Sequence, residues 1–279
     1  MDKKIFWKKR NKIISVFFLI VVAIIFVFPF FWAIGISLLK EPRDVYSMKK
    51  LFKPPFEWRN WLVIFKEGDF LNYIKNTLII SVSSIIFAFI SNSFVAYGFA
   101  RFRTKGIETV FFLLLTTMFM PAVVMSIPQY ILWTKVGATD TYIPFIFPQL
   151  FSTPIYVFIL RQVYMGIPSS LAEAAYIDGM SDFGVWFKIY VPLAKPTLAF
   201  IMVQVFMATW NDFMGPLIYI STPSKYTLMQ GLRFLSEKYR VEQNISMAAS
   251  IRSIIPVFIV YIFAQKHFVA GLAAGAVKQ

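Results

Sequence analysis

The chain has 279 residues, of which 58% are apolar, 19% aromatic and only 15% charged, with a formal net charge of +14. A soluble domain carries about 25% charged residues, whereas the apolar residues here fall in runs of bilayer-spanning length, about 20 residues each, so composition selects a membrane protein. The positive balance does not select a nucleic-acid binder, because Lys and Arg flank the apolar runs, where they fix topology and meet anionic headgroups; the lack of cysteine and the single histidine, His267, exclude disulfides, thiolate metal sites and a histidine metal cluster.

The amino-terminal cluster Lys3, Lys4, Lys8, Lys9, Arg10 and Lys12 precedes an apolar run over 13–39. A signal peptide has a shorter apolar core, whereas this run of about 27 residues has full spanning length, so a retained first helix is expected. Further spans are expected over 71–99, 107–134, 141–164, 194–220 and 248–268. Pro121 and Pro128 lie inside the third, which predicts a kink or break there. Backbone polar groups in lipid must be satisfied internally, and the runs are too long and too unalternating for barrel strands. The expectation is an all-α membrane protein with six transmembrane helices in a single domain over 1–279, with a polar connection at 165–193 and a tail at 269–279. The dense amino-terminal cations place both termini in the cytoplasm, although Lys40, Arg43, Lys49, Lys50, Lys53, Arg59 and Lys66 crowd the next connection. His267, beside Lys266 at the end of the last run, reads as an interfacial residue.

The connection at 165–193 begins Gly166-Ile167-Pro168-Ser169-Ser170-Leu171-Ala172-Glu173-Ala174-Ala175-Tyr176-Ile177-Asp178-Gly179. Ser170 and Glu173 have capping-box spacing, and Gly179 is placed to stop a helix in a left-handed conformation. A two-turn helix over 171–178 follows, with Leu171, Ala174, Ala175 and Asp178 on one face. So short a helix is marginal alone and requires a packing partner. Asp182 is a candidate cap for a second short helix through Trp186, and Pro192 and Pro196 bracket the entry to the fifth span.

Glu173-Ala174-Ala175, then Gly179, Ile189 and Val191-Pro192, resembles the EAA loop of ATP-binding-cassette import permeases, with Val191 in place of the usual Leu. Met120-Pro121, Ile127-Pro128, Gly137, Tyr142, Leu160-Arg161-Gln162, Trp210-Asn211-Asp212-Phe213, Pro216-Leu217 and the tail from Ala270-Gly271-Leu272 to Gly275-Ala276-Val277-Lys278 are similar to sugar-importer permeases of the maltose-system second-subunit type. The resemblance implies a type I import permease architecture with a short cytoplasmic coupling helix between helices 4 and 5. It implies ATPase-coupling roles for Glu173, Ala174, Ala175, Asp178, Gly179 and Pro192, and an ATPase contact by Gly275, Lys278 and Gln279. It also implies a second permease subunit, two cytoplasmic ATPase subunits and an external sugar-binding protein as partners, in a bacterial inner membrane. ATP and Mg2+ would be used by the ATPase subunits, with no cofactor bound by this chain.

Polar groups inside a span are costly and face a cavity or a partner helix. Trp210 offers a flat face to a sugar, and Asn211 and Asp212 offer hydrogen bonds to hydroxyls; Asn211 and Asp212 equally suit bonds to neighbouring helices. The sequence has no Gly-x-x-x-x-Gly-Lys-Ser/Thr phosphate loop and no nucleophile–base or metal constellation in the spans, so a transport subunit without its own ATPase site is expected. Two alternatives remain open at this level. One is import of a non-sugar solute such as glycerol phosphate, for which Arg252 is the obvious in-span cation. The other is an ion-driven secondary transporter, for which Asp212 is the sole good candidate ion site.

Overall fold

The computed structural model describes residues 3–46, 50–51, 53–67 and 69–276. In chain order the helices are α1 (Lys3–Ser37), α2 (Arg59–Glu67), α3 (Phe70–Arg101), α4 (Ile107–Thr116), α5 (Ala122–Lys135), α6 (Ile143–Ile146), α7 (Pro154–Met165), α8 (Ser169–Ile177), α9 (Asp182–Val185), α10 (Val191–Leu193), α11 (Lys195–Trp210), α12 (Met214–Tyr219), α13 (Leu228–Lys238) and α14 (Gln243–Ala276). Among the described residues, four stretches are long and apolar enough to cross a membrane: Lys12–Ser37, Phe70–Arg101, Ile143–Met165 and Gln243–Gln265. Two bent pairs raise the number to six if each counts as one span.

The first bent pair, Ile107–Phe119 with Ala122–Lys135, turns by 98°. Met120 and Pro121 are both extended there, because the proline ring bars its predecessor from helical geometry. Pro128 sits within α5, so of the two prolines expected to perturb this span only Pro121 marks its break. The second pair, Asp182–Leu193 with Lys195–Trp210, turns by 84°, with Ala194 fully buried at the corner and Pro196 in the first turn of α11. α11 has 16 residues, about 24 Å of helix against a hydrocarbon core of about 30 Å. The chain leaves the helix at Asn211 and continues in α12, so the fifth expected span is interrupted in its second half. α14 extends to Ala276, past the expected helix end at 268.

The chain divides into two compact units. In the first, residues 1–69 with 232–255, Ile36, Leu39 and Leu51 form a small core joined by Trp32, Val45 and Met247. Asn60 donates to the carbonyls of Ser37 and Leu39 at 3.0 and 2.8 Å, and Asn244 donates to Leu39 at 3.0 Å. These bonds satisfy the carbonyls left free where α1 ends. Most of α1 is exposed along its apolar length, as expected of a lipid-facing helix.

In the second unit, residues 70–231 with 256–279, α3 packs on α7 and α11. Ala88 and Ala96 allow close approach, and the apolar core runs through Val157, Leu160, Leu198, Ile201 and Val205. Polar side chains bridge the helices. Asn92 accepts from the Thr153 amide at 2.6 Å at the start of α7, and Ser91 donates to the Gln149 carbonyl at 2.7 Å. Arg161 donates to the Phe99 carbonyl, pairs with Glu108 and lies 4.2 Å from the centre of the Phe111 ring.

Candidate functional site: the 169–190 helices and the Asp212 cavity

α8 starts with Pro168 as its N-cap, in extended geometry, and no side chain caps it. The expected capping box of Ser170 and Glu173 is therefore absent. Pro168 takes the boundary position, which leaves Ser170 already inside the first helical turn, where its hydroxyl cannot act as a cap. The stop forms as expected. Gly179 has φ of 78°, its amide donates to Tyr176 at 3.0 Å and the Met180 amide donates to Ala175 at 2.9 Å. Those two bonds define a Schellman ending. A Cβ on Gly179 would meet nothing within 4 Å, so backbone conformation alone demands glycine.

The faces of α8 divide differently from the expected grouping. Ala172 and Ala175 are buried in the core of the second unit, so Ala175 faces inward. Leu171, Glu173, Ala174, Ile177 and Asp178 are exposed, and Ile177 is 87% exposed. An apolar side chain this bare at the end of a short helix leaves an outer face uncovered within this chain.

α8 is held by hydroxyls that sequence patterns did not single out. Tyr176 donates to Asp182 Oδ1 at 2.6 Å, and its hydroxyl lies 3.3 Å from that of Tyr97 on α3. Burial first, then the bond to Asp182, raises the Tyr176 pKa above its ordinary value, which keeps the proton on the donor. Asp182 is thus a partner of Tyr176. The cap of α9 is Ser181, which accepts from the Gly184 amide at 3.3 Å. Below, Trp186 donates to Ser93 at 3.0 Å, and the Ser93 and Tyr164 hydroxyls are 2.6 Å apart. Trp186 opens a π-helical turn that ends at Tyr190, and Pro192 follows at the start of α10. Gly275 lies in the last turn of α14; Lys278 and Gln279 lie outside the described residues.

In the interrupted fifth span, Trp210 is fully buried and stacks on Phe206 at 5.2 Å between ring centres. Its face is occupied within the protein, so it is a packing residue beside the break. Asn211 is exposed and donates to the Met207 carbonyl at 2.8 Å. Asp212 Oδ1 accepts from the Gly215 amide at 3.0 Å. Asp212 also lines a cavity of about 340 Å3, with Gln129, Phe145, Gln149, Thr209 and Tyr219 among its walls. A Cβ on Gly215 would lie 2.5 Å from Asp212 Oδ2 and 2.9 Å from Phe145, so glycine keeps that corner open. Arg252 belongs to the first unit, with its guanidinium 3.9 Å from the centre of the Phe65 ring and 5.4 Å from that of Trp61.

A third polar centre lies in the connections. Asp140, at φ of 57°, accepts from the amides of Ser221 and Thr222 at 3.0 and 2.9 Å, from the Thr222 hydroxyl at 2.7 Å and from Lys225 Nζ at 2.8 Å. The Lys225 ammonium, then the Thr222 hydroxyl and amide, hold its carboxyl well below the usual carboxylate range. Asn76 donates to the carbonyls of Ser224 and Tyr226 at 2.9 and 3.0 Å, and Thr77 accepts from the Leu228 amide at 2.7 Å. The 219–228 segment is thereby pinned to the start of α3 and to the connection before α6.

A bundle of long apolar helices, two of them broken, with a short bare-faced helix between the fourth and fifth spans, is the build of a solute-import permease. Residues 93–273 match the family described as the binding-protein-dependent transport system inner membrane component, and the chain belongs to that family. It is a multi-pass inner-membrane subunit of an ATP-binding-cassette importer. Among its relatives, the arabinooligosaccharides transport system permease protein AraQ of Halalkalibacterium halodurans is 34% identical over 78% of each chain. The protein of that name in Bacillus subtilis is 30% identical over 94% of each. In fold, the chain matches a permease chain in the crystal structure of a bacterial transporter that imports the acidic polysaccharide alginate. That match has a TM-score of 0.82 at 21% identity and covers 96% of this chain and 99% of the other.

Proposed function

We propose that the chain is one permease subunit of an importer for a sugar or oligosaccharide, with a second permease completing the path and an external binding protein delivering the solute. Two cytoplasmic ATPase subunits use ATP and Mg2+, and both termini lie on their side of the membrane. α8 docks into an ATPase subunit through Leu171, Glu173, Ala174, Ile177 and Asp178. Ala172 and Ala175 fasten it to the bundle, Gly179 ends it, and Pro192 helps set the turn into α11. The tail residues Gly275, Lys278 and Gln279 contact the ATPases. Asn211 and Asp212 belong to the solute path, with Trp210 packed behind them.

The observation that carries this reading is the two-sidedness of α8: its inner face is sealed into the core, and its outer face ends in a bare Ile177. Glycerol phosphate or another anion would require a cationic path. The charged side chain that follows the interruption of the fifth span is instead Asp212, and the Arg252 guanidinium is covered by the Phe65 and Trp61 rings. The chain has no native cysteine, so Ile177→Cys introduces a unique thiol. In the assembled importer that thiol is expected to resist a maleimide that labels it readily in the separated subunit; equal labelling rates in both states refute the docking. Uptake by the reconstituted importer across a saccharide panel tests the solute class, and failure to take up any saccharide refutes it.

A further inference from the structure

The cavity beside Asp212 has a chemistry that narrows the solute. Its volume, about 340 Å3, lies at the small end of the ~300–1,000 Å3 range of ligand pockets, which suits a short segment of an oligosaccharide. Its walls combine hydrogen-bonding groups on Gln129, Gln149 and Thr209 with the rings of Phe145 and Tyr219. Amides and hydroxyls match sugar hydroxyls, and ring faces match the C–H face of a pyranose or furanose. Thr227 is also in the wall. It is 4% exposed and its hydroxyl has no partner among the described residues, which leaves one buried hydrogen-bonding group in reserve.

The charge is one-sided. Asp212 is the charged member of the lining, and no Lys, Arg or His is among the described residues that form it. The Gly215 amide donates to Asp212 Oδ1, and the Met214 amide also bonds the carboxylate. Oδ2 lies at the corner that the missing Cβ of Gly215 keeps open. A hydroxyl donates well to that oxygen. A carboxylate brought to the same corner would lose its hydration, meet a like charge and find no cation to pair with.

Resting on the reading of this cavity as part of the solute path, we infer that it is a subsite for an uncharged sugar unit and that Asp212 is a specificity-determining residue that rejects uronates. The fold match to an importer of an acidic polysaccharide therefore does not extend to the charge of the solute at this point.

The absence of native cysteine gives a direct test in the full importer. Ala208 is an exposed wall residue, and Ala208→Cys places one thiol in the cavity. Its modification rate is measured with a cationic trimethylammonium methanethiosulfonate, an anionic sulfonate analogue and an uncharged methyl analogue. The cationic reagent is expected to outrun the anionic one by at least about tenfold relative to free thiol, as one unit charge a few ångströms away produces at intermediate dielectric. Asp212→Asn, which retains the acceptor for Gly215, should bring that ratio near unity while the uncharged reagent reacts as before. Arabinotriose should protect the thiol and trigalacturonate should not. Equal rates for the two charged reagents with Asp212 intact, or protection by trigalacturonate, overturn the inference. Failure of the underlying path reading has a different signature: the importer takes up arabinotriose, the charge ratio persists, and neither saccharide protects. In that case the subsite falls with it.

Discussion

Replacing Gly179 perturbs the end of α8 without touching any neighbour. The site is open to a side chain, so the whole cost is that of holding a non-glycine residue at φ of 78°, about 1–2 kcal/mol. Relief comes from releasing the Schellman bonds to Tyr176 and Ala175, each about 1 kcal/mol net. Unwinding the last turn of α8 therefore becomes comparable in free energy to keeping it. Against a global stability of about 5–15 kcal/mol the subunit still folds and assembles, but α8 frays where Ile177 and Asp178 sit. The expected order of damage is Asn, then Ala, then Val, because Asn tolerates the left-handed region and β-branched residues do not. The assay is the reconstituted importer, read as sugar taken up per ATP hydrolysed. Gly179→Val should retain basal hydrolysis and lose most uptake, with Gly179→Asn close to wild type. Full uptake and normal ATPase stimulation in Gly179→Val would refute the coupling role, and equal damage from Asn and Val would refute the conformational argument.

Three further outcomes follow from geometry. The folded pKa of Asp140 is depressed, so its contribution is complete above the unfolded value of about 3.9 and is lost as pH falls below that value towards the folded one. Asp140→Asn should thus destabilise the detergent-solubilised protein by about 1–2 kcal/mol at pH 7 and narrow its thermal-stability gap to wild type near pH 3; a gap that does not change with pH counts against the ion pair. Gly215→Ala forces Asp212 or Phe145 to move, an overpacking cost of about 1–3 kcal/mol, so uptake should fall while subunit assembly by size exclusion is retained. Ser181→Ala should lower stability by about 1 kcal/mol through loss of the α9 cap, whereas Ser170→Ala should be near neutral; thermal melts of the two variants compare the caps directly, and the reverse ranking contradicts the assignment.

Much of the frame was readable from the chain because its signals are local. Apolar length marks the spans, Pro121 marks the bend of the third, and Gly179 marks the end of α8. Pro168, Ser169 and Ser170 all carry helix-start chemistry, and spacing alone favoured the wrong one; the extended geometry of Pro168 decided the matter. Face assignment on α8 failed for a related reason. Periodicity groups Leu171 with Ala174 and Ala175, but whether Ala175 points in or out depends on the core it meets. The same holds for Trp210, whose ring is equally suited to a sugar or to Phe206. The cavity walls come from α3, α5, α6, α11 and α12 and from the connections that hold Gln149, Asp212 and Thr227, and no sequence window contains them. Asp140 was missed because its partners Ser221, Thr222 and Lys225 lie more than 80 residues away. Its only local sign was an acidic residue in a connection that also holds Gly137, where left-handed geometry is common.

α3 is fastened near both of its ends. Asn76 and Thr77 bind the 224–228 backbone near its start, and Tyr97 meets the Tyr176 hydroxyl near its finish. The two attachments are separated by about 30 Å of continuous helix, with close-packed small residues between them. A rod clamped in this way has little compliance along its axis. If α8 is displaced, the expected effect at the 219–228 segment is a tilt of the whole rod, with the distance between the two fastenings as its lever arm.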